Sequence, residues 1–284
     1  MHRLLTATIA ALFALLLSAP ALGQDGEAAN RVEKLSAWPQ LKKADRDRAR
    51  AAIKQLRKEK PELRDAAAAK LIKMGAGVAP LLIAQVSDKA QNINLQLFAV
   101  LDEVVDKLHL SLLARELKRK SVACRRHLMR RIALGRDPDM APVLKARLQD
   151  KDEDIAFYAA LGALALGDGA GLETMLAAAR QRWTEHQALI ASALTPVRSR
   201  EVSRLVWEHI GQARATDKMA GLRLLRHLAT KDEKVLLRAY LESADFAVKR
   251  EAINTARVLH GEKPLEKLSS FQAINLAKQW LQKL

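Results

Sequence analysis

One pattern limits what this chain can fold into more than any other: an apolar stripe at helical spacing that returns every thirty-one residues. Its clearest copy is SADFAVKREAINTARVLHG, residues 243–261, in which Val248, Ala252, Ala256 and Leu259 fall on one side of a helix. Three steps back the equivalent positions are Ile155, Ala159, Ala163 and Leu166. Further single steps reach Cys124, Leu128 and Ile132, then Ile93, Leu97 and Leu101. Leu63, Ala67 and Leu71 stand thirty residues before that last set, a slip of one. So constant a period marks a repeat array. A single amphipathic helix pair cannot bury its apolar face, whereas stacked pairs cover one another. The expected fold is all-α: an α-solenoid of about seven helix pairs, closed by a capping helix over 269–283 that turns Ala273, Leu276, Ala277, Trp280 and Leu281 inward.

Two kinds of helix alternate along the chain. After a first pair beginning at Asp45 and Pro61, short helices are predicted over 78–86, 108–118, 140–148, 171–180, 201–210 and 234–241. Stripe helices are predicted over 91–106, 122–134, 153–166, 185–194, 217–229 and 246–260. Pro61, Pro80 and Pro142 suit the first turn of a helix, where a missing N–H is harmless. Gly75, Gly135, Gly167 and Gly261 stand where helices should stop in left-handed geometry. Two copies fit poorly: the fifth places His186 with Ile190 and Leu194, and the sixth places Asp217 with Gly221 and Leu225. Ionisable and side-chain-free residues on a core stripe predict a shifted register there. A short cap helix is expected over 31–38, ahead of Pro39.

The first residues are read separately. Arg3, an apolar run over 4–17, and small residues at Ala21 and Gly23 have the layout of a secretory signal peptide cleaved after Gly23. Residues 24–44 then form a leader and cap, and 45–284 the repeat domain. Export and a soluble mature chain, periplasmic or extracellular with no stable membrane insertion, are the expectation. Cleavage takes away one Arg and no acid, so the formal charge of +16 becomes +15, which favours solubility and acidic partners. With one cysteine, Cys124, no internal disulfide can form, and stability must come from the core. Cys124 sits on the stripe and is expected to be a buried hydrophobe.

The string Asp245, Val248, Lys249 or Arg250, Ala252, Ala256, Leu259 and Gly261 resembles the HEAT-like repeat, with its acid in the turn, a hydrophobe before a basic residue, paired alanines and a terminal glycine. Asp150 or Asp152, Ile155, Ala159, Ala160, Leu164 and Gly167 are similar, with Ala156 in place of the basic residue. The resemblance covers roughly 45–284 and, with the leader, is to an exported bacterial-type HEAT repeat protein. It implies stripe helices on the concave side of a solenoid, in a family chiefly of scaffolds and protein-binding modules with a few enzymes.

The densest charge is on one stripe helix. Arg125, Arg126, Arg130 and Arg131 lie together, and with Cys124, Leu128 and Ile132 turned inward, Arg126 and Arg130 share a face. Arg223, Arg226, Lys249, Arg250 and Arg257 are expected to extend this face, and guanidinium groups so placed bind carboxylates or phosphates. The expected partner is a protein or other acidic macromolecule. Catalytic readings fail on spacing. None of the seven histidines pairs with another at three to five residues, and a single Cys cannot build a zinc cage, so no metal or other cofactor is expected. Gly167 to Gly171 imitates a phosphate loop but follows a helix, which makes it an inter-helix turn. The alternative is a nucleic-acid-binding enzyme, since some HEAT-like proteins excise alkylated bases. Trp183, Trp207, Tyr158 and Asp154 would then serve, but the leader places the chain in the wrong compartment for nucleic acid.

Overall fold

Side-chain caps at Ser121, Asp152, Ser199, Asp245 and Ser269 and left-handed glycines at Gly75, Gly167 and Gly261 divide this chain into short rods, and the computed structural model shows them. It describes residues 35–284; the expected signal segment lies outside them, as does the first half of the cap helix expected over 31–38, and the described half, 35–38, is not helical because Pro39 and the contacts of Ser36 and Trp38 hold it extended. The described part is all-helical, with fifteen α-helices and no strand. They are α1 (Lys43–Gln55), α2 (Pro61–Lys73), α3 (Ala79–Ile83), α4 (Gln91–Val104), α5 (Leu110–Glu116), α6 (Val122–Gly135), α7 (Ala141–Lys145) and α8 (Glu153–Ala165). There follow α9 (Leu172–Gln181), α10 (Trp183–Leu194), α11 (Arg200–Gly211), α12 (Ala215–Leu228), α13 (Arg238–Leu241), α14 (Phe246–Leu259) and α15 (Ser270–Lys283). Each odd-numbered helix from α1 to α13 packs on the even-numbered one after it, and α15 packs on α14. The even-numbered helices also meet in succession: α2 on α4, α6 on α8, α8 on α10, α10 on α12 and α12 on α14. Between α4 and α6 the link runs through side chains, Phe98 against His127 and Asp102 against Arg131.

Burial follows the thirty-one-residue stripe. Cys124, Leu128, Ile132, Ile155, Ala159, Val248, Ala252 and Ala256 are all buried, each apolar side chain of leucine size contributing about 1.5–3 kcal/mol. Burial also holds the Cys124 thiol up at about 11, as a thiol without nearby water requires. The shift expected in the fifth and sixth copies does not occur. His186, Ile190 and Leu194 are buried in register, as are Asp217, Gly221 and Leu225. Tertiary partners accommodate them: His186 stacks on Phe157, Arg180 pairs with Asp217, and Gly221 lets Ile210 approach so closely that a Cβ would stand 2.2 Å from its Cγ2. At the other end the stripe weakens, with Leu63 45% exposed where no further helix pair among the described residues covers α2.

Three of the four glycines behave as expected, Gly75, Gly167 and Gly261 having φ of 68°, 84° and 82°. Gly135 does not. The left-handed residue ending α6 is Arg136 (φ 51°), and Gly135 instead makes room for Leu110, whose Cδ1 lies 2.3 Å from where a Cβ would be. The turn after Gly167 is a packing element too: Asp168 caps the 3-10 turn Gly169–Gly171, and Gly171 sits against Ala160. Residues 35–41 are not helical. They form an extended strap across the short helices, Ser36 accepting from Arg115 (2.6 Å), Trp38 stacked on His109 and Pro39 close to Gly77. Helix α8 is buried on nearly every side and joins two apolar clusters, one running back to Ala49 and the other forward to Trp280.

Candidate binding groove and arginine cluster

The arginines of α6 have four separate fates. Arg125 donates to the carbonyls of Arg119 and Lys120, both 2.9 Å away, and so closes the end of α5. Arg131 donates to the carbonyl of Val105 (2.5 Å) and lies 3.3 Å from Asp102, closing the end of α4. Arg126 makes a two-pronged bond to Asp152 (2.8 and 2.7 Å) and reaches Asp154 at 3.1 Å. The Arg126 guanidinium thereby holds the Asp152 carboxyl below its usual range. Arg130 alone is exposed with no side-chain hydrogen bond or ion pair among the described residues.

Arg130 stands in a groove of about 400 Å³ formed by α4, α6 and the start of α8, with Leu95, Phe98, His127 and Tyr158 around it. Leu95 is 65% exposed there. Phe98 and His127 lie face to face, ring centres 4.0 Å apart, and His127 Nε2 is 3.1 Å from Asp102 Oδ1. The site thus offers one unpaired guanidinium over an apolar and aromatic floor.

A second group assembles from α10, α12 and α14. Arg223, Arg226 and Arg250 all meet the carboxylate of Glu251: Arg223 and Arg250 at Oε1 (3.2 Å each), and Arg226 at Oε2. The Arg223 and Arg226 guanidiniums also lie over the ring of Trp183, at 5.7 and 5.5 Å from its centre. Burial pulls the Arg226 pKa down to about 10. Of the remaining candidates, Arg257 turns to its own helix end, bonding the Lys263 carbonyl (2.8 Å) and Glu262 (2.9 Å). Lys249 makes no side-chain hydrogen bond or ion pair among the described residues.

Asp154, Glu185 and His186 place three potential metal donors within 4.8 Å of one another, a juxtaposition made by α8 meeting α10 and invisible to histidine spacing. The cation already there is Arg182, bonded to Asp154 (2.7 Å) and Glu185 (2.6 Å). Of the residues of the enzyme alternative, Tyr158 has its phenol pKa raised by burial and by the nearby Asp154 charge, whereas Trp207 Nε1 donates to Glu233 (3.1 Å) and Trp183 carries arginines.

Sequence reading missed Glu251, Phe98 and His127 as site residues. A usable signal existed, because His127, Tyr158 and Glu251 are whole numbers of thirty-one-residue steps apart, as are Arg130 and Arg223. The two groups therefore stand at equivalent positions of the thirty-one-residue sequence period. In comparison with known proteins, no family model matches the chain and no curated protein matches it in sequence.

Proposed function

We propose that this chain is an exported, non-catalytic scaffold: an α-solenoid of seven HEAT-like pairs whose even-numbered helices line an inner face that holds an acidic segment of another protein. The stepwise contacts from α2 to α14 support the solenoid, since each pair meets chiefly its neighbours along the chain. The leader sequence supports export. The observation that carries the binding reading is Arg130, an unpaired guanidinium beside exposed Leu95 in the α4–α6 groove. An acidic side chain would pair with Arg130 while an adjoining apolar residue covers Leu95 and Phe98. No single helix among the described residues is long and apolar enough to cross a bilayer.

The test is crosslinking in the intact envelope, with the attached protein identified and then titrated against purified chain. Arg130→Glu should abolish recovery of that partner without changing helix content, and wild-type binding should weaken steeply as salt rises. Unchanged recovery with Arg130→Glu would sink the reading. Arg126→Glu is the wrong probe, because it breaks the bonds to Asp152 and Asp154 that hold α6 to α8.

A further inference from the structure

The group on α10, α12 and α14 carries more positive charge than its own carboxylate can balance. Three guanidiniums surround Glu251, which is 3% exposed. Each guanidinium brings about five N–H donors. The acceptors they meet are the two Glu251 oxygens and the carbonyl of Ala179, 2.6 Å from Arg223. The buried Nε atoms of Arg223 and Arg226 have no hydrogen-bond partner among the described residues.

Among the described residues no other acid pairs with these three guanidiniums, and Glu185 on α10 is taken by Arg182. Arg198 donates to the carbonyls of Ala229 and Arg226 and brings another positive charge close by. His227 is held neutral by burial and by the Arg226 and Arg198 charges. Asp217 is engaged by Arg180 and Arg214. Trp183 presents a π face, which attracts cations but accepts no proton from the outward edges of the group. An excess of desolvated charge is costly unless a counter-charge joins it. Access exists at one edge, where the Arg250 side chain is 32% exposed and that of Arg223 is 15% exposed.

We infer that Arg223, Arg226 and Arg250, braced by Glu251 and Trp183, form a receptor for a single oxyanion, a carboxylate or phosphate group, entering at the Arg250 edge. Arg250 and Arg223 supply charge-assisted hydrogen bonds at the rim, and Arg226 supplies charge from the floor. This site is independent of the Arg130 groove and stands whether or not that groove binds a protein.

The full chain is titrated calorimetrically with inorganic phosphate and, separately, with a hexaglutamate peptide, at constant chloride. Saturable binding of at least one probe is expected, together with a rise in Tm. Arg250→Ala should weaken it tenfold or more while leaving the unliganded Tm within a degree or two, because this side chain is partly exposed. Arg204→Ala, which removes an equal charge from a side chain 69% exposed on α11, should leave binding unchanged. Phosphate alone binding identifies a free oxyanion as the ligand, and the peptide alone binding identifies carboxylates of a polypeptide; both support the receptor. No saturable binding of either probe, or equal weakening by Arg250→Ala and Arg204→Ala, would overturn it.

Discussion

Gly221 occupies a core position with no room for a methyl group. Alanine there would gain about 1 kcal/mol of helix propensity, but its Cβ would fall 2.2 Å from Ile210 Cγ2 and 3.3 Å from Val206 Cγ1. Overpacking against a β-branched side chain costs about 1–3 kcal/mol, so Gly221→Ala should lower Tm. Gly211→Ala, with nothing within 4 Å, should not; equal Tm values for the two variants would refute the packing account. A second residue-scale effect concerns His227, whose pKa is pushed down from 6.5 to about 4 by burial and by Arg226 and Arg198, and which meets Thr195 at 3.0 Å. The folded chain binds fewer protons than the unfolded one between those values, so stability is full above about pH 6.5 and falls as the pH drops toward 4. At ~1.4 kcal/mol per unit, the loss is roughly 2–3 kcal/mol. Denaturant titrations at pH 7 and 4.5 should show it, and His227→Asn should shrink the difference. His186 and His260 are lowered as well and will keep part of it.

Helix ends carry the element-scale argument. Ser121 caps α6 through Cys124 N (3.2 Å), and Asp88, from the turn after α3, accepts from Ser121 Oγ (2.7 Å), Ala123 N (2.8 Å) and Val122 N (3.2 Å). The Ala123 N–H and Ser121 hydroxyl hold the Asp88 carboxyl below its ordinary range. One carboxylate thus fastens the start of α6 to an earlier pair. Asp88→Ala should cost about 1–2 kcal/mol, as loss of an N-cap does, and should raise amide exchange in the first turn of α6 before other helices respond. Uniform exchange changes across all helices would contradict this local role. Aspartates in these turns were legible in the sequence as N-terminal acids, but the reach of Asp88 across thirty-odd residues was not, because nothing local specifies which neighbouring turn comes within bonding distance.

Over the whole molecule, cohesion depends on covering the last pair. Trp280 is 3% exposed and packs with His260 and Lys283, while Ala273 and Ala277 seat α15 on α14. Trp280→Ala should cost about 3–5 kcal/mol. In the proposed stacked array that loss is felt mainly by near neighbours, so hydrogen exchange should rise most in α13–α15, less in α9–α12 and least in α1–α6. A rise equal in all three groups would show a single cooperative core instead. Helix α8, shared by both apolar clusters, is where such a gradient should flatten.

The amino-acid sequence alone determined the helices, their pairing and the buried stripe, because a thirty-one-residue period of apolar side chains records burial directly. It also placed Trp280 in the cap and Cys124 in the core. It could not tell that His186 and Asp217 keep the register, since polarity argues against burial until Phe157 and Arg180 are known to stand opposite them. Nor could it sort the arginines. Arg125, Arg126 and Arg131 bind carbonyls and carboxylates of their own fold, Arg130 is left open, and Arg223, Arg226 and Arg250 converge on Glu251. A guanidinium reaches several ångströms on a flexible stem and bonds whatever acceptor packing brings near it, so its role is decided only when helices distant in the chain meet.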